Sequence, residues 1–281
     1  MVPAVGAHVS VAGGLMRALT RAEAIGAEAV QIFVANPRAW AEPALDAASD
    51  AAFAAACPYP VFVHAPYLIN LGSPSAETLS RSVAALAFSL RRAAAIGARG
   101  VVVHAGWAVQ RGRVDEALTR ARGSLLTVLD AVRDAPRLLI EPTAGGGGAL
   151  ASDAASLARY LDALGRDERV GVCLDTCHMH AAGHDLSRDF TGTLRAYGRA
   201  AGAGRIGLVH VNDSRDPAGG KRDRHEAIGR GTIGADAFAA LFASPVTRRV
   251  PMVVESADAD HAADIAALKA LRAGCAAPGR R

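Results

Sequence analysis

Short apolar runs rich in β-branched residues alternate with longer alanine- and leucine-rich segments along the whole chain. The longer segments, such as AETLSRSVAALAFSLRRAAAIG, carry charged residues at helical spacing, which indicates amphipathic helices. Gly26 and Gly97 follow two of these segments, as glycines that end helices do. The apolar runs predict strands at Val5–Val9, Ala29–Val34, Pro60–His64, Gly100–His104, Leu138–Glu141, Val170–Asp175, Ile206–Val211 and Val250–Glu255.

This alternation predicts an α/β protein with a parallel sheet, and no linker or low-complexity break interrupts it. Eight strand-then-helix units in 281 residues fit a single (β/α)8 TIM barrel, which takes about 250 residues. We therefore expect one barrel domain over residues 1–273 and a frayed C-terminal tail over 274–281. In such a barrel the functional site lies at the C-terminal face of the strands.

The composition narrows the class of protein further. Hydrophobic residues make up 51% of the chain, but alanine supplies many of them, and no apolar window approaches the roughly 18 residues of a membrane span. The N-terminal residues do not resemble a secretory signal, so we expect a cytoplasmic protein. The four cysteines form no CxxC pair, which argues against a disulfide framework and against a thiolate zinc site.

Side chains that bind metals lie where the predicted strands end. Six of them close an apolar run, and parallel strands bring their C-terminal ends together, so one shared site is expected. Imidazole and carboxylate ligands without thiolate are typical of hydrolytic zinc, or of manganese or iron. The nine candidates are His64, His104, Glu141, Asp175, His178, His210, Asp223, His225 and Glu255.

A formal net charge of +4 says little by itself, but the placement of the cations is more informative. Arg215, Lys221, Arg222 and Arg224 lie in SRDPAGGKRDRHE, a glycine-bearing loop that also holds two metal-ligand candidates. A solvated loop is the simpler interpretation. Cations beside metal ligands favour a substrate that carries phosphate.

Five motifs, spread over nearly the whole domain, resemble those of endonuclease IV. This family comprises zinc-dependent apurinic/apyrimidinic endonucleases of DNA base-excision repair. The combination is specific, because GVCLDTCH and DRH carry metal ligands at spacings that an unrelated metallo-barrel would not reproduce together. The motifs are GAHVS.AGGL at 6–15, HAPYLINLG at 64–72, VGVCLDTCH at 170–178, HVNDS at 210–214 and DRHEAIGRG at 223–231.

The resemblance implies three clustered zinc ions, with manganese or iron as alternatives at some positions. It implies that Glu141 bridges two of the ions, which is the catalytic role we expect for it. Two metals about 4 Å apart can hold and acidify a bridging water, which then serves as the hydroxide nucleophile. The implied ligand sets are His64, His104 and Glu141 for the first ion, Glu141, Asp175, His210 and Glu255 for the second, and His178, Asp223 and His225 for the third.

The resemblance also implies cleavage of duplex DNA on the 5′ side of an abasic site, leaving a 3′-hydroxyl and a 5′-deoxyribose phosphate. Arg38, Tyr67 and Leu68 match the positions that fill the gap left by the flipped nucleotide. Their chemistry fits, since they offer a cation, a stacking plane and an apolar wedge. The alternative is that Tyr67 and Leu68 only cap the barrel rim. We expect abasic duplex DNA as the partner, and neither a membrane nor an obligate protein partner.

The sequence departs from the family pattern at three positions. Pro142 replaces an asparagine directly after Glu141, which removes a side-chain amide and a backbone N–H. We expect Glu141 to keep its role, with a supporting hydrogen bond at risk. Ala105 replaces a proline, and Ala39 replaces a glutamine that would contact the DNA gap.

Four further histidines need an interpretation. His180 and His184 are spaced like a helical metal pair, but the resemblance assigns only His178 in that loop, so we expect neither to bind metal. His8 closes the first strand on the catalytic face, where it would contact phosphate, order a ligand or simply pack at the rim. His261 is expected at a solvated helix start.

Two other classes of function compete with the nuclease. Sugar isomerases and epimerases on the same barrel use Glu, Asp, His and Glu around a single metal ion, which would explain four of the nine candidates. They would not explain the other five or the basic loop. A DNA-binding protein with structural metals is weaker still, because structural zinc sites are usually closed and rich in thiolates.

Overall fold

The computed structural model describes residues 2–257 and 259–276 and contains a closed barrel of eight parallel strands. The barrel strands are β1 (Val5–His8), β2 (Val30–Phe33), β3 (Val61–His64), β4 (Gly100–His104), β5 (Arg137–Glu141), β6 (Val170–Asp175), β7 (Ile206–His210) and β10 (Met252–Val254). Two short strands, β8 (Asp213–Ser214) and β9 (His225–Glu226), form an antiparallel pair outside the barrel. Around the barrel the order is β1, β10, β7, β6, β5, β4, β3, β2, which confirms the predicted TIM barrel.

Helices connect the strands and surround the barrel. They are α1 (Leu15–Ala24), α2 (Ala47–Ala56), α3 (Ala76–Ala95), α4 (Val114–Ala131), α5 (Ala154–Ala163), α6 (Thr176–Ala182), α7 (Leu186–Ala201), α8 (Ala239–Ala243) and α9 (His261–Ala276), with a 3-10 turn at Ala235–Phe238. Gly26 and Gly97 follow α1 and α3 with positive φ, as expected. Because α9 reaches Ala276, the first three residues of the predicted tail are helical, and 277–281 lie outside the described residues.

Among the residues that the structure describes, no helix is both long enough and apolar enough to cross a bilayer.

The barrel interior is filled at one level by small and large apolar side chains. One residue from each of seven strands or strand starts contributes, and all are buried. A Cβ on Gly6 of β1 would collide with the Ala29 carbonyl oxygen, so the closely approaching β1 and β2 require glycine at this position. The apolar residues are Ala29, Phe62, Val102, Leu139, Cys173, Leu208 and Val253.

A polar layer lies directly above this apolar one. Side chains alternate between the two faces of a strand, so the residue two positions further along points inward again. Counted from Gly6 and from the seven apolar residues, this gives eight inward positions, and all eight are polar. Six of the eight residues are predicted metal ligands. The polar layer consists of His8, Gln31, His64, His104, Glu141, Asp175, His210 and Glu255.

Candidate metal centre

The nine predicted ligands come together at the C-terminal face of the barrel. All but Asp175 and His210 line a cavity of about 280 Å3, whose walls also include Tyr67. Two clefts of about 530 and 600 Å3 lie elsewhere, and neither is lined by more than one histidine or carboxylate. The cavity with the relevant chemistry is therefore one of the smaller ones.

Within this cluster the donor atoms fall into three groups that could each hold a metal ion. In each group the donor atoms lie within 4.8 Å of one another. Glu255 joins the group containing His210, because its Oε2 is 3.1 Å from His210 Nδ1. The groups are His64, His104 and Glu141; Glu141, Asp175 and His210; and His178, Asp223 and His225.

Glu141 ends β5 at the centre of the cluster and is 1% exposed. Its Oε2 faces His64 Nε2 at 3.3 Å and His104 Nε2 at 3.5 Å, while its Oε1 lies 3.1 Å from His210 Nδ1. Burial would raise the pKa of Glu141, but the charges of His210 and His104 hold it well below its usual range. The ionised carboxylate thus offers one oxygen to each of two donor groups, and Oε2 has no hydrogen bond of its own.

His178 is oriented by the start of α6. Asp175 caps this helix, because its Oδ1 accepts a hydrogen bond from the His178 backbone N–H at 2.8 Å. His178 Nδ1 donates to the carbonyl oxygen of Pro142 at 3.0 Å, so Nε2 faces Asp223 Oδ2 at 3.1 Å. Proline at position 142 lacks an N–H but keeps this carbonyl, and the histidine remains held.

The β8–β9 pair brings Asp223 and His225 to the cluster. His225 Nε2 lies 2.9 Å from Asp223 Oδ1 and 3.6 Å from Asp175 Oδ2. Burial opposes protonation of His225, but the charge of Asp175 and the bond to Asp223 raise its pKa to about 9. By contrast, burial lowers the pKa of His104 to about 4. The end of the cluster around His225 and Asp223 therefore favours a positive charge, which a metal ion would supply.

Cys177 lies within the same distance of Asp175 and His225 and is fully buried. Burial, together with the charge of Asp175, raises the pKa of its thiol. Because the thiolate is the form that binds metals, Cys177 is poorly suited to be a ligand. Cys177 is therefore a packing residue.

The three candidate DNA-binding residues lie on two neighbouring loops. The Tyr67 N–H donates to the Pro37 carbonyl at 3.0 Å, which ties the loop carrying Arg38 to the loop carrying Leu68. The Tyr67 ring is 42% exposed and stacks on His104, with ring centroids 5.8 Å apart. Arg38 is exposed and Leu68 is half-buried. Tyr67 thus contacts the cluster on one side and solvent on the other.

Three of the four cations in the basic loop lie within ion-pair distance of its carboxylates, Arg222 the most loosely, at 3.9 Å from Asp216. Arg215 lies 3.1 Å from Glu226, and Arg224 Nε donates to Asp216 at 2.7 Å. Lys221 and Arg222 are exposed beside Asp223. These two remain available to contact an anionic ligand.

The remaining histidines lie outside the three groups. His180 accepts a hydrogen bond from the Leu186 N–H, and His184 packs on Tyr197 with ring centroids 5.4 Å apart. The expectation for His261 was wrong: it begins α9, but it is 3% exposed and hydrogen-bonded to the Ser256 carbonyl at 2.9 Å.

Gln31 is a functional candidate that the search for metal ligands missed. It is fully buried and contacts His8, His210 and Glu255 through its amide. Its position carried a signal, because it lies two residues after Ala29, in the same inward register as the ligands. A glutamine inside a strand, rather than at its end, does not stand out when only metal-binding residue types are sought.

The comparisons with known proteins define the fold class of the chain. Residues 19–273 match the family of xylose isomerase-like TIM barrels. A solved L-ribulose 3-epimerase shares this fold, with a TM-score of 0.72 over 99% of each chain, although only 19% of residues are identical. The barrel alone therefore does not separate nucleases from sugar epimerases.

More similar relatives define the family. A protein of Streptomyces coelicolor named probable endonuclease 4 is 49% identical over 96% of this chain and 95% of its own length. The crystal structure of endonuclease IV from Thermus thermophilus has a TM-score of 0.85 and 35% identity, covering 97% of this chain and all of that one. The chain belongs to the endonuclease IV family and is an enzyme of the apurinic/apyrimidinic endonuclease type.

Proposed function

We propose that the chain hydrolyses the phosphodiester bond on the 5′ side of an abasic site in duplex DNA, leaving a 3′-hydroxyl and a 5′-deoxyribose phosphate. The observation that carries this proposal is the divided carboxylate of Glu141. One of its oxygens faces His64 and the other faces His210, at 3.3 and 3.1 Å. A carboxylate shared by two donor groups suits a two-metal hydrolase.

The proposal includes three zinc ions, with manganese or iron as substitutes at some positions. When bound, such ions supply Lewis acidity, which acidifies water and polarises a phosphoryl oxygen. Nitrogen and carboxylate donors are the set that catalytic zinc prefers. The residues that would hold them are His64, His104 and Glu141; Glu141, Asp175, His210 and Glu255; and His178, Asp223 and His225.

The chain's own residues prepare these donors. The Ala65 and Pro142 carbonyls accept from the Nδ1 atoms of His64 and His178, at 2.7 and 3.0 Å, so that Nε2 of each ring faces the cavity. Asn212 donates to Asp175 Oδ2 at 2.8 Å and restrains that carboxylate. Hydrogen bonds from residues outside the donor set therefore fix the orientation of these candidate ligands.

The rim of the cavity supports DNA as the substrate. Tyr67 exposes a ring on which a base or sugar can stack, Leu68 is a candidate wedge, and Arg38 can enter the minor groove. Lys221 and Arg222, exposed beside Asp223, are suited to backbone phosphates. A neutral sugar requires none of these groups.

The single-metal isomerase or epimerase remains the alternative that the shared barrel suggests. It would use only Glu141, Asp175, His210 and Glu255. Five additional donors line the same cavity, and relatives that are 49% and 48% identical are named as probable endonucleases. Both observations favour the hydrolase.

The test is cleavage of a 5′-labelled duplex that carries one tetrahydrofuran abasic analogue, using zinc-loaded protein with and without EDTA. We expect EDTA-sensitive incision on the 5′ side and a product that DNA polymerase extends, because its 3′ end is a hydroxyl. An intact duplex of the same sequence is the control. Absence of incision by protein shown to contain zinc would refute the proposal.

A further inference from the structure

Gln31 lies in the polar layer of the barrel, yet its side chain is not a typical metal ligand. It is fully buried on β2 and reaches past β1 to residues of β7 and the end of β10. Its amide contacts Glu255 Oε1 at 2.7 Å and His210 Nε2 at 2.9 Å. A buried amide that bridges two candidate ligands of one metal group requires a physical explanation.

The partners of the amide determine its orientation. The Glu255 carboxylate oxygen accepts hydrogen bonds, so the amide nitrogen faces it, at 2.7 Å. The amide oxygen therefore faces His210 Nε2, and because a carbonyl oxygen only accepts, Nε2 must carry a proton. With Nε2 protonated, the metal-binding nitrogen of His210 is Nδ1. This atom lies 3.1 Å from both Glu141 Oε1 and Glu255 Oε2.

Three other histidines of the cluster are fixed differently. Nδ1 of His64, His178 and His225 bonds to a backbone carbonyl, at 2.7, 3.0 and 3.4 Å, and Nε2 faces the cavity in each case. His210 has the reverse arrangement and depends on a side chain. Substitution of this one residue can therefore change which ring nitrogen of His210 is free to bind a metal ion.

The other end of the amide acts on Glu255. Its N–H donates to Glu255 Oε1, which leaves Oε2 turned toward His210. Asn212 completes the restraint, since its Oδ1 accepts from the Glu255 backbone N–H at 2.8 Å. Gln31 thereby orients two donors of the same group.

We propose that Gln31 is a positioning residue for the metal group of Glu141, Asp175, His210 and Glu255. It holds His210 as the Nε2–H tautomer and Glu255 with Oε2 turned inward, so that one zinc ion binds more tightly. The inference rests on the proposed function for the identity of that group. It adds that one zinc site, and not the other two, depends on a glutamine.

The first test measures zinc affinity in competition with a chelating dye. In Gln31→Leu we expect one of three zinc ions to bind about tenfold to a hundredfold more weakly, as loss of such outer contacts usually causes, while the other two are unchanged. Thr247→Val is the matched control. It removes a buried hydrogen bond of 2.7 Å, to the Leu241 carbonyl, far from the cluster, and should leave all three affinities unchanged.

A spectroscopic test separates positioning from packing. In nitrogen-15 spectra of the zinc-loaded wild type, we expect His210 to show a protonated Nε2. Gln31→Leu should lose that fixed tautomer, and Gln31→Glu should retain it, because a carboxylate oxygen also accepts from Nε2–H. The two readouts together do not depend on enzymatic activity.

Contrary outcomes are distinguishable. Three unchanged zinc affinities in Gln31→Leu would overturn the role of Gln31, as would equal weakening of all three ions. A His210 bound through Nε2 in the wild type would also overturn it. Wild-type protein that binds no zinc would instead refute the proposed function.

Discussion

At the scale of single residues, Glu141 is the group on which the proposed chemistry depends most. Glu141→Gln keeps the shape but removes the charge that both donor groups share. Loss of several kcal/mol of charge stabilisation corresponds to a fall in the cleavage rate of about a thousandfold or more. We expect binding to abasic duplex DNA to remain measurable, as checked by single-turnover cleavage and by fluorescence anisotropy.

The control for this prediction is Glu116→Gln, which removes an exposed carboxylate at the start of α4 and should leave the rate unchanged. A Glu141→Gln rate near that of the wild type would remove Glu141 from the mechanism. Loss of cleavage together with loss of all DNA binding would indicate a misfolded site instead.

Tyr67 is the second residue whose role can be tested by itself. If its exposed ring stacks in the gap of a damaged duplex, Tyr67→Ala should weaken binding to abasic DNA by about 1–3 kcal/mol. Binding to an intact duplex should change little, since no gap is available. Anisotropy titrations with the two duplexes give the comparison, and Tyr67→Phe should retain wild-type affinity.

Equal losses for both duplexes would support the alternative that Tyr67 only packs at the rim. Because the ring stacks on His104, zinc content must be compared in Tyr67→Ala and the wild type. A variant that lost zinc would show that the ring supports the metal group.

At the scale of elements, α9 is tied to the start of the barrel through Glu28. Arg272 and Lys269 of α9 lie 2.6 and 3.1 Å from this carboxylate, which also accepts from the Val5 N–H. Partial burial would raise the pKa of Glu28, but these contacts lower it to about 2. A depressed pKa in the folded state stabilises the protein above the ordinary value of 4.5, and this stabilisation is lost as the pH falls toward 2.

We therefore expect Glu28→Gln to lower the free energy of unfolding at pH 7 by about 1–2 kcal/mol, after allowance for solvent around a partly exposed group. The difference from the wild type should shrink between pH 4.5 and 2. Urea unfolding at several pH values provides the measurement. Glu77→Gln, which breaks an exposed pair with Arg81 on α3, should have little effect at any pH. A difference independent of pH would exclude the charge as its cause.

The elements also show which features a sequence can predict. The eight barrel strands follow from apolar runs of the right length, and α3 follows from its helical spacing and the glycine after it. The short β8–β9 pair does not, because two-residue strands have no periodicity and depend on the loop closing on itself. The same holds for His261, since no periodic pattern encodes its burial or its hydrogen bond to the Ser256 carbonyl.

The convergence of the candidate metal ligands was predictable, because strand ends meet in a parallel barrel. For Gln31 the register indicates an inward position, but its role was not predictable, because that role arises from distances between β2, β7 and β10 that no single segment encodes. For Pro142, the sequence drew attention to a contact that is lost, and the structure shows one that is kept. The sequence suggested the loss of a supporting bond, whereas the fold places its carbonyl against His178.

At the scale of the whole molecule, the barrel buries an unusual concentration of ionisable groups at one end. Four carboxylates and five histidines share this end, and Glu141, Asp175, His178 and His210 are almost entirely buried. Bound cations would offset the repulsion among the carboxylates, so we expect metal binding and folding to be coupled. The site and the stability of the barrel are therefore not separate properties.

Removal of the metal should consequently lower the melting temperature. A ligand that binds only the folded state at a thousand times its dissociation constant stabilises that state by about 4 kcal/mol, which corresponds to several degrees in a chain of this size. We expect EDTA to lower Tm by this amount in calorimetry, and added zinc to restore it. Glu141→Gln, with one shared donor weakened, should show a smaller drop. An unchanged Tm in wild-type protein shown to have lost its zinc to EDTA would contradict this coupling, since removal of an ion that binds only the folded state forfeits its binding free energy.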